Sequence, residues 1–258
     1  MLIDDHADRT DEWYSYADLI VNQNLAFESS LYPQTLQDRC QSGSNYVLLR
    51  PEFWTLTHDG PNRQNNQPSS PCKLLITFGS SDPQNASFPL LKHVCKKLEK
   101  SGSLLTTKKI RIQVLIGPAF DLQQVQALLD LANQYSYVQV LQNHTQIASL
   151  FEQSDLAVTA GGTTTWELLR CGVWPLVLRI ADNQDVVMDG LKRCKIGTDL
   201  GVYRHDMNQD GRMNFDWDQC INILLHTLDQ WMNGGLSDPS TWVDGRGVWR
   251  VIDRIVEV

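Results

Sequence analysis

Asp155–Gln184 reads DLAVTAGGTTTWELLRCGVWPLVLRIADNQ, and the order of its parts decides the fold. A short apolar run, Leu156–Ala160, passes into Gly161-Gly162-Thr163-Thr164, and a helix-like segment, Thr165–Cys171, follows at once. Gly172 stops that segment, Pro175 opens a second apolar run to Ile180, and the run ends in Asp182-Asn183-Gln184. This is strand, glycine turn, helix, strand, polar loop. In an open α/β sheet, ligands bind outside the carboxyl ends of the strands. A glycine turn that feeds a helix N-terminus offers backbone N–H groups and the positive end of a dipole to an anion. The stretch therefore points to a phosphate-bearing ligand, with a second polar loop beside it.

The same alternation extends outward. Strand-like runs fall at Lys73–Phe78, Ile110–Ile116, Val138–Leu141, Leu156–Thr159 and Leu176–Ile180. Amphipathic helical segments lie between them near Ala86–Lys100, Leu122–Gln134, Thr145–Glu152 and Thr165–Cys171. Further helices are expected at Asn183–Cys194, Asp216–Trp231 and Gly247–Val256. Strand alternating with helix predicts an α/β class with a Rossmann-like parallel sheet covered on both faces. The polar stretch THDGPNRQNNQPSSP, Thr57–Pro71, has linker composition. Before it lie three short strand candidates, Leu2–Asp4, Asp18–Val21 and Tyr46–Leu49, too few for a whole domain. The expected organisation is a partial N-terminal α/β domain over 1–56, a linker over 57–71 and a nucleotide-binding C-terminal domain over 72–258.

Composition narrows the function classes. With 258 residues, 42% hydrophobic and 20% charged, the chain is ordinary for a globular protein. No apolar run approaches the length needed to span a bilayer, and MLIDDHADR is not a signal peptide. The net charge of −8 argues against a nucleic-acid partner but not against a nucleotide-sugar, whose diphosphate a helix N-terminus can hold. Cys40, Cys72, Cys95, Cys171, Cys194 and Cys220 are too widely spaced for a zinc or redox pair. A reducing cytoplasm is the expected location.

GGTTTWE, then GVWP, then ADNQ resemble, in this order, the UDP-sugar hydrolases of pseudaminic acid synthesis, which are relatives of the two-domain GT-B glycosyltransferases. IDDHADR at Ile3–Arg9, ADLIVNQN at Ala17–Asn24 and SNYVLLRPEF at Ser44–Phe53 are similar to the end of that family's first domain. LLITFGSSDPQN at Leu74–Asn85 resembles the opening of its second domain, and VDGRGVWRVID at Val243–Asp253 resembles its last helix. The resemblance implies a GT-B type C-terminal domain and hydrolysis of a UDP-activated 2,4-diacetamido-trideoxy sugar to UDP and free sugar. It implies no metal and no cofactor. In the family a histidine in a glycine-rich GxGH motif near the N-terminus supplies the base, and no such motif occurs in this sequence. The isolated chain is therefore expected to be inactive, and a separate polypeptide carrying that segment is an expected partner. The family also includes spore-coat polysaccharide proteins and shades into glycosyltransferases, so a glycosyltransferase-like or non-catalytic UDP-sugar binder is the alternative.

Site candidates follow, each with a plainer reading beside it. Gly161, Gly162, Thr163 and Thr164 would hold the diphosphate, or they form a tight turn that needs glycine only for its dihedral angles. Glu167 closes a T-x-x-E capping box with Thr164; the resemblance instead implies that it binds the ribose hydroxyls. Asn183 and Gln184 would contact the sugar, with Asn183 tied to the reaction, while Asp182 and Asn183 are also ordinary N-cap residues. Gly79 and Ser80 would line the cleft, although the family usually has a second glycine where Ser80 stands. Asp82, before Pro83, reads equally as an N-cap. Arg50 and Glu52 are cleft residues by resemblance and a surface ion pair otherwise. His144 precedes Thr145, a possible helix cap, and lies in a loop that sits near the base in the relatives. Asp4, Asp5 and His6 are grouped like a metal or acid–base cluster, and Asp206–Asp218 begins like a calcium loop but has Trp217 where the bidentate glutamate should be.

Overall fold

The computed structural model describes residues 1–4, 12–25, 27–56, 71–100, 110–205 and 215–257. In chain order its strands and helices are β1 (Leu2–Ile3), β2 (Ile20–Asn22), α1 (Gln34–Gln37), β3 (Cys40–Ser42), β4 (Cys72–Ile76), α2 (Ser87–Lys100), β5 (Ile110–Leu115), α3 (Leu122–Ala132), β6 (Val138–Leu141), α4 (Ile147–Glu152), β7 (Leu156–Thr159), α5 (Thr163–Arg170), β8 (Trp174–Arg179), α6 (Asp185–Cys194), β9 (Thr198–Val202), α7 (Trp217–Met232) and α8 (Gly247–Glu257). Single 3₁₀ turns occur at Ser44–Tyr46, Pro51–Phe53 and Asp182–Gln184, among others.

The α/β class expected from the alternation is what the chain forms. Six parallel strands make one sheet in the order β6-β5-β4-β7-β8-β9, and three parallel strands make a second, β1-β2-β3. In the larger sheet the chain winds outward from β4 to β6, then returns to β7 beside β4 and winds the other way. The switch point, where a crevice must open between diverging loops, therefore lies between the carboxyl ends of β4 and β7.

Burial follows position in this sheet. β7 is buried at every residue and β8 at all but Arg179, as a strand covered by helices on both faces must be. β6, at the edge, has no fully buried residue. Pro175 begins no strand of its own. It lies inside β8 opposite Ala157 of β7, and pairing with β9 starts only at Leu176, so its missing N–H removes no bond on that side. α2 turns Leu90, Leu91, Val94, Cys95 and Leu98 inward at helical spacing. Asp121 and Gln124 close a capping box at the start of α3.

The smaller sheet departs from expectation. Tyr46–Leu49 forms no strand; Val47 and Leu49 instead bury their side chains in the main core. The third strand is Cys40–Ser42, in which only Cys40 is buried. α8 packs across this sheet, with Val251 clustering against Leu19 and Val21. Arg250 and Arg254 donate to the backbone carbonyls of Asn45 and Asp38. Asp4, at the end of β1, accepts a hydrogen bond from the Tyr32 hydroxyl, which also accepts one from Asn22 at 3.2 Å. Burial, then the Asp4 contact, pushes the Tyr32 phenol far above its usual range. Asp5, His6 and most of Asp206–Asp218 lie outside the described residues.

The cysteines are free, and burial raises their thiols: Cys40 and Cys220 to about 12, Cys95 to about 11 and Cys72 further still. A thiol is nucleophilic only as thiolate. Iodoacetamide at pH 8 should therefore leave these four unmodified in the native protein and alkylate them after unfolding. Native alkylation of Cys220 as fast as that of half-exposed Cys194, read by peptide mass mapping, would contradict this.

Candidate functional site

A cavity of about 670 Å³ opens at the carboxyl ends of β4, β5, β6 and β7. Thr77, Gly79 and Ser80 enter it after β4, and Leu115–Pro118 after β5. Asn143, His144 and Thr145 enter after β6, and Thr163, Thr164 and Glu167 come from α5. Arg50 reaches in from the segment that leaves the small sheet. The cavity thus lies at the switch point, with the N-terminus of α5 on one wall.

Of the two glycines in the turn before α5, only Gly161 has positive φ, and neither Gly161 nor Gly162 lines the cavity. Gly161 has φ +86, where a side chain is strained, and an added Cβ would lie 3.0 Å from Val177 Cγ1. Gly162 is exposed and forms the N-cap, and no side chain caps the helix. Thr165 N–H donates back to the Gly162 carbonyl at 2.9 Å, which leaves the N–H groups of Thr163 and Thr164 for a partner from outside the helix.

Glu167 does not close a capping box. α5 begins at Thr163, two residues earlier than the sequence spacing predicts, which moves Glu167 into the second turn. There its carboxylate is taken by Arg50: Nε donates to Oε1 at 2.7 Å and Nη2 donates to Oε2 at 3.0 Å. A fork-to-fork charge pair is far stronger than a local cap. The Glu167 side chain is 5% exposed and that of Arg50 51%, so the cation covers the carboxylate on its wet side. The bonds to Glu167 raise the Arg50 guanidinium above its ordinary value.

Arg50 and Glu52 are not a plain surface pair. They approach to 3.3 Å, and Glu52 Oε2 also accepts the Ala148 N–H at 3.1 Å. Glu52 thereby caps α4 from another part of the chain. Thr145 does not fill that role; the residue before α4 is Gln146, with no side-chain cap bond. His144 lines the cavity beside it.

Ser80 needs no glycine, because Gly79 alone of the two has positive φ, +81. Asp82 is fully buried at φ +43, and its carboxylate accepts the N–H groups of Ala86 and Ser87 at 2.9 and 2.8 Å. It thus anchors the start of α2 from five residues upstream, with Pro83 outside the helix. Asn183 and Gln184 sit in the turn after β8 and do not line this cavity. Asn183 is exposed. Gln184 Oε1 accepts the Ile180 and Ala181 N–H groups, and its Cβ lies 3.4 Å from where a Cβ on Gly161 would sit. The polar loop therefore borders the glycine turn without entering the cavity.

Arg50, a cleft residue by resemblance, lines the cavity; Phe151 and the 115–118 segment line it too and were not singled out in the sequence. Among the described residues, no three His, Cys, Asp or Glu side chains gather as a metal site. No helix there is long and apolar enough to cross a membrane.

Solved structures share the architecture. The spinosyn rhamnosyltransferase SpnG complexed with thymidine diphosphate superposes with a TM-score of 0.53 at 17% identity, covering 92% of this chain and 56% of that one. UGT73P12 of Glycyrrhiza uralensis, complexed with glycyrrhetinic acid 3-O-monoglucuronide, gives 0.55 at 12% identity, covering 93% and 53%. At such identities the likeness is one of fold, and that fold is GT-B-like. In sequence, the chain is similar to the spore coat polysaccharide biosynthesis protein SpsG of Bacillus subtilis, 25% identical over 92% of this chain and 63% of SpsG. It is 28% identical to protein MJ1062 of Methanocaldococcus jannaschii over 63% of this chain and 32% of that protein. The chain thus matches less than two thirds of the length of either relative. No family model matches it.

Proposed function

We propose that this chain binds a UDP-sugar in the β4–β7 crevice and belongs to an enzyme that hydrolyses a UDP-activated 2,4-diacetamido-trideoxy sugar in nonulosonic acid synthesis. The observation that carries the binding reading is the convergence of the α5 N-terminus, the Gly79–Ser80 turn and the Glu167 carboxylate on one cavity at the switch point. The similarity to SpsG supports a role in sugar-nucleotide metabolism. In this reading Thr163 and Thr164 hold the diphosphate with backbone N–H groups and hydroxyls, and the helix dipole stabilises the leaving UDP. Glu167 takes the ribose hydroxyls. The slot between Leu115–Pro118 and Asn143–Thr145 takes the base. The sugar would extend out of this cavity toward the turn after β8, where Asn183 is exposed and Gln184 holds the turn through the Ile180 and Ala181 N–H groups. A glycosyltransferase-like reaction uses the same nucleotide contacts and differs only in the acceptor.

Glu167→Gln keeps the shape of the side chain and removes its charge. It should weaken UDP and UMP alike, by about 1–3 kcal/mol, because both carry the ribose. UDP should outbind 2′-deoxy-UDP in the parent protein and lose that preference in the variant. Calorimetry showing no UDP binding to folded protein would refute the reading. Asn183→Ala should leave UDP affinity unchanged and impair binding or turnover of the UDP-sugar. Equal losses for both ligands would assign Asn183 to the turn and not to the sugar.

A further inference from the structure

Glu167 is occupied before any ligand arrives. Arg50 takes both of its oxygens in a bidentate fork from the exposed side. A vicinal diol donating to a carboxylate uses the same two in-plane positions as a guanidinium fork. A ribose diol that takes this same bidentate arrangement on Glu167 displaces the guanidinium.

The displaced cation does not leave the cavity. Its Nη1 lies 3.3 Å from Glu52, its guanidinium carbon lies 5.2 Å above the Phe53 ring, and Glu52 is itself anchored to the start of α4. Among the described residues lining the cavity, Arg50 is the one permanent cation. A diphosphate at Thr163–Thr164 brings the negative charge that a released Arg50 lacks.

We propose that Arg50 is a phosphate-binding residue held in reserve on Glu167, and that the pair is exchanged only by a ligand carrying both a ribose diol and a phosphate group. This inference rests on the nucleotide reading above. Its consequence is selectivity. Uridine supplies a new partner for Glu167 but leaves Arg50, half exposed, with Glu52 alone; pyrophosphate supplies a partner for Arg50 but strands the buried carboxylate. An unpartnered buried charge is strongly unfavourable, so pyrophosphate binds far more weakly than its share of UDP, and uridine gains nothing from the cation it releases.

The test is calorimetry at pH 8 with UDP, uridine and inorganic pyrophosphate on the full chain and on Arg50→Gln. The variant should bind UDP about ten- to hundredfold more weakly, the loss of a charged hydrogen-bonding partner. It should bind uridine severalfold more tightly, because nothing covers Glu167. The ratio of UDP to uridine affinity therefore contracts from both sides. If uridine weakens in parallel with UDP, Arg50 only orients Glu167 and the exchange is overturned. Unchanged UDP affinity overturns it as well. Should Arg50→Gln fail to fold, Arg50→Lys keeps the charge without the fork. Tighter uridine with UDP within about tenfold of the parent then supports the exchange, and unchanged or weaker uridine overturns it. A parent protein that binds neither UDP nor uridine overturns the nucleotide reading together with this inference. A parent that binds UDP while Arg50→Gln leaves the ratio intact overturns the exchange alone.

Discussion

Replacing Gly117 with alanine should abolish nucleotide binding and destabilise the protein by about 1–3 kcal/mol, the usual range for an overpacked site. A Cβ at this position would lie 2.3 Å from the Gly79 carbonyl oxygen and 2.4 Å from that of Ser80. Both atoms are backbone, so no rotamer change can relieve the contact. The Gly79–Ser80 turn would have to move, and it is held by the Ala119 N–H donating to Ser80 O at 2.8 Å. Because this turn and residues 115–118 form adjoining parts of the cavity wall, the damage should reach the ligand. Calorimetry with UDP alongside urea unfolding measures both effects. Parent-like binding with parent-like stability would show that the two loops are not held together as described.

The second large effect is expected at Arg170. This residue, at the end of α5, is 5% exposed, and its guanidinium donates to the carbonyl oxygens of Phe53, at 3.2 Å, and Leu56. Burial lowers its guanidinium pKa, but arginine stays charged in proteins. Arg170→Met keeps much of the apolar stem and removes the donors, leaving two acceptors unsatisfied. A loss of about 2–4 kcal/mol follows, read as a shift in the urea midpoint. The same segment presents Arg50 and Glu52 to the cavity, so UDP affinity should fall as well. A midpoint shift worth less than about 1 kcal/mol would mean that water replaces the lost donors.

The sequence showed the large sheet clearly because its signals are local. Leu156–Thr159 is a near-continuous apolar run and Val138–Leu141 an apolar run interrupted by Gln139; both are bounded by turn residues, and their limits agree with β7 and β6. β9 was missed because Thr198–Val202 carries Asp199 and Gly201; Asp199 is held there by Arg179 and Lys192, a tertiary cause with no local signature. Cys40–Ser42 was missed for the same kind of reason, since a strand with one buried residue shows no alternation. In the site, the glycine turn, Glu167 and the Gly79–Ser80 loop were legible as motifs, and the cavity gathers Gly79, Ser80, Thr163, Thr164 and Glu167. The partner of Glu167 was not legible. Local spacing offered Thr164, whereas the residue that binds it stands 117 positions away. Charge pairs across such a separation are decided by packing and leave no trace in a short window.

α8 lies across β2, and its Arg254 donates to Asp38 over a separation of 216 residues. At ordinary synthesis rates that gap is on the order of ten to forty seconds. During translation, Leu19 and Val21 therefore wait, covered on that face only by the half-buried Tyr46 and Leu48, until the large sheet has been made and α8 has followed it. The small sheet is synthesised before the large one and can close only after it. In a growing chain it is the part most in need of a chaperone, and closing it sets a late, topologically slow step in folding.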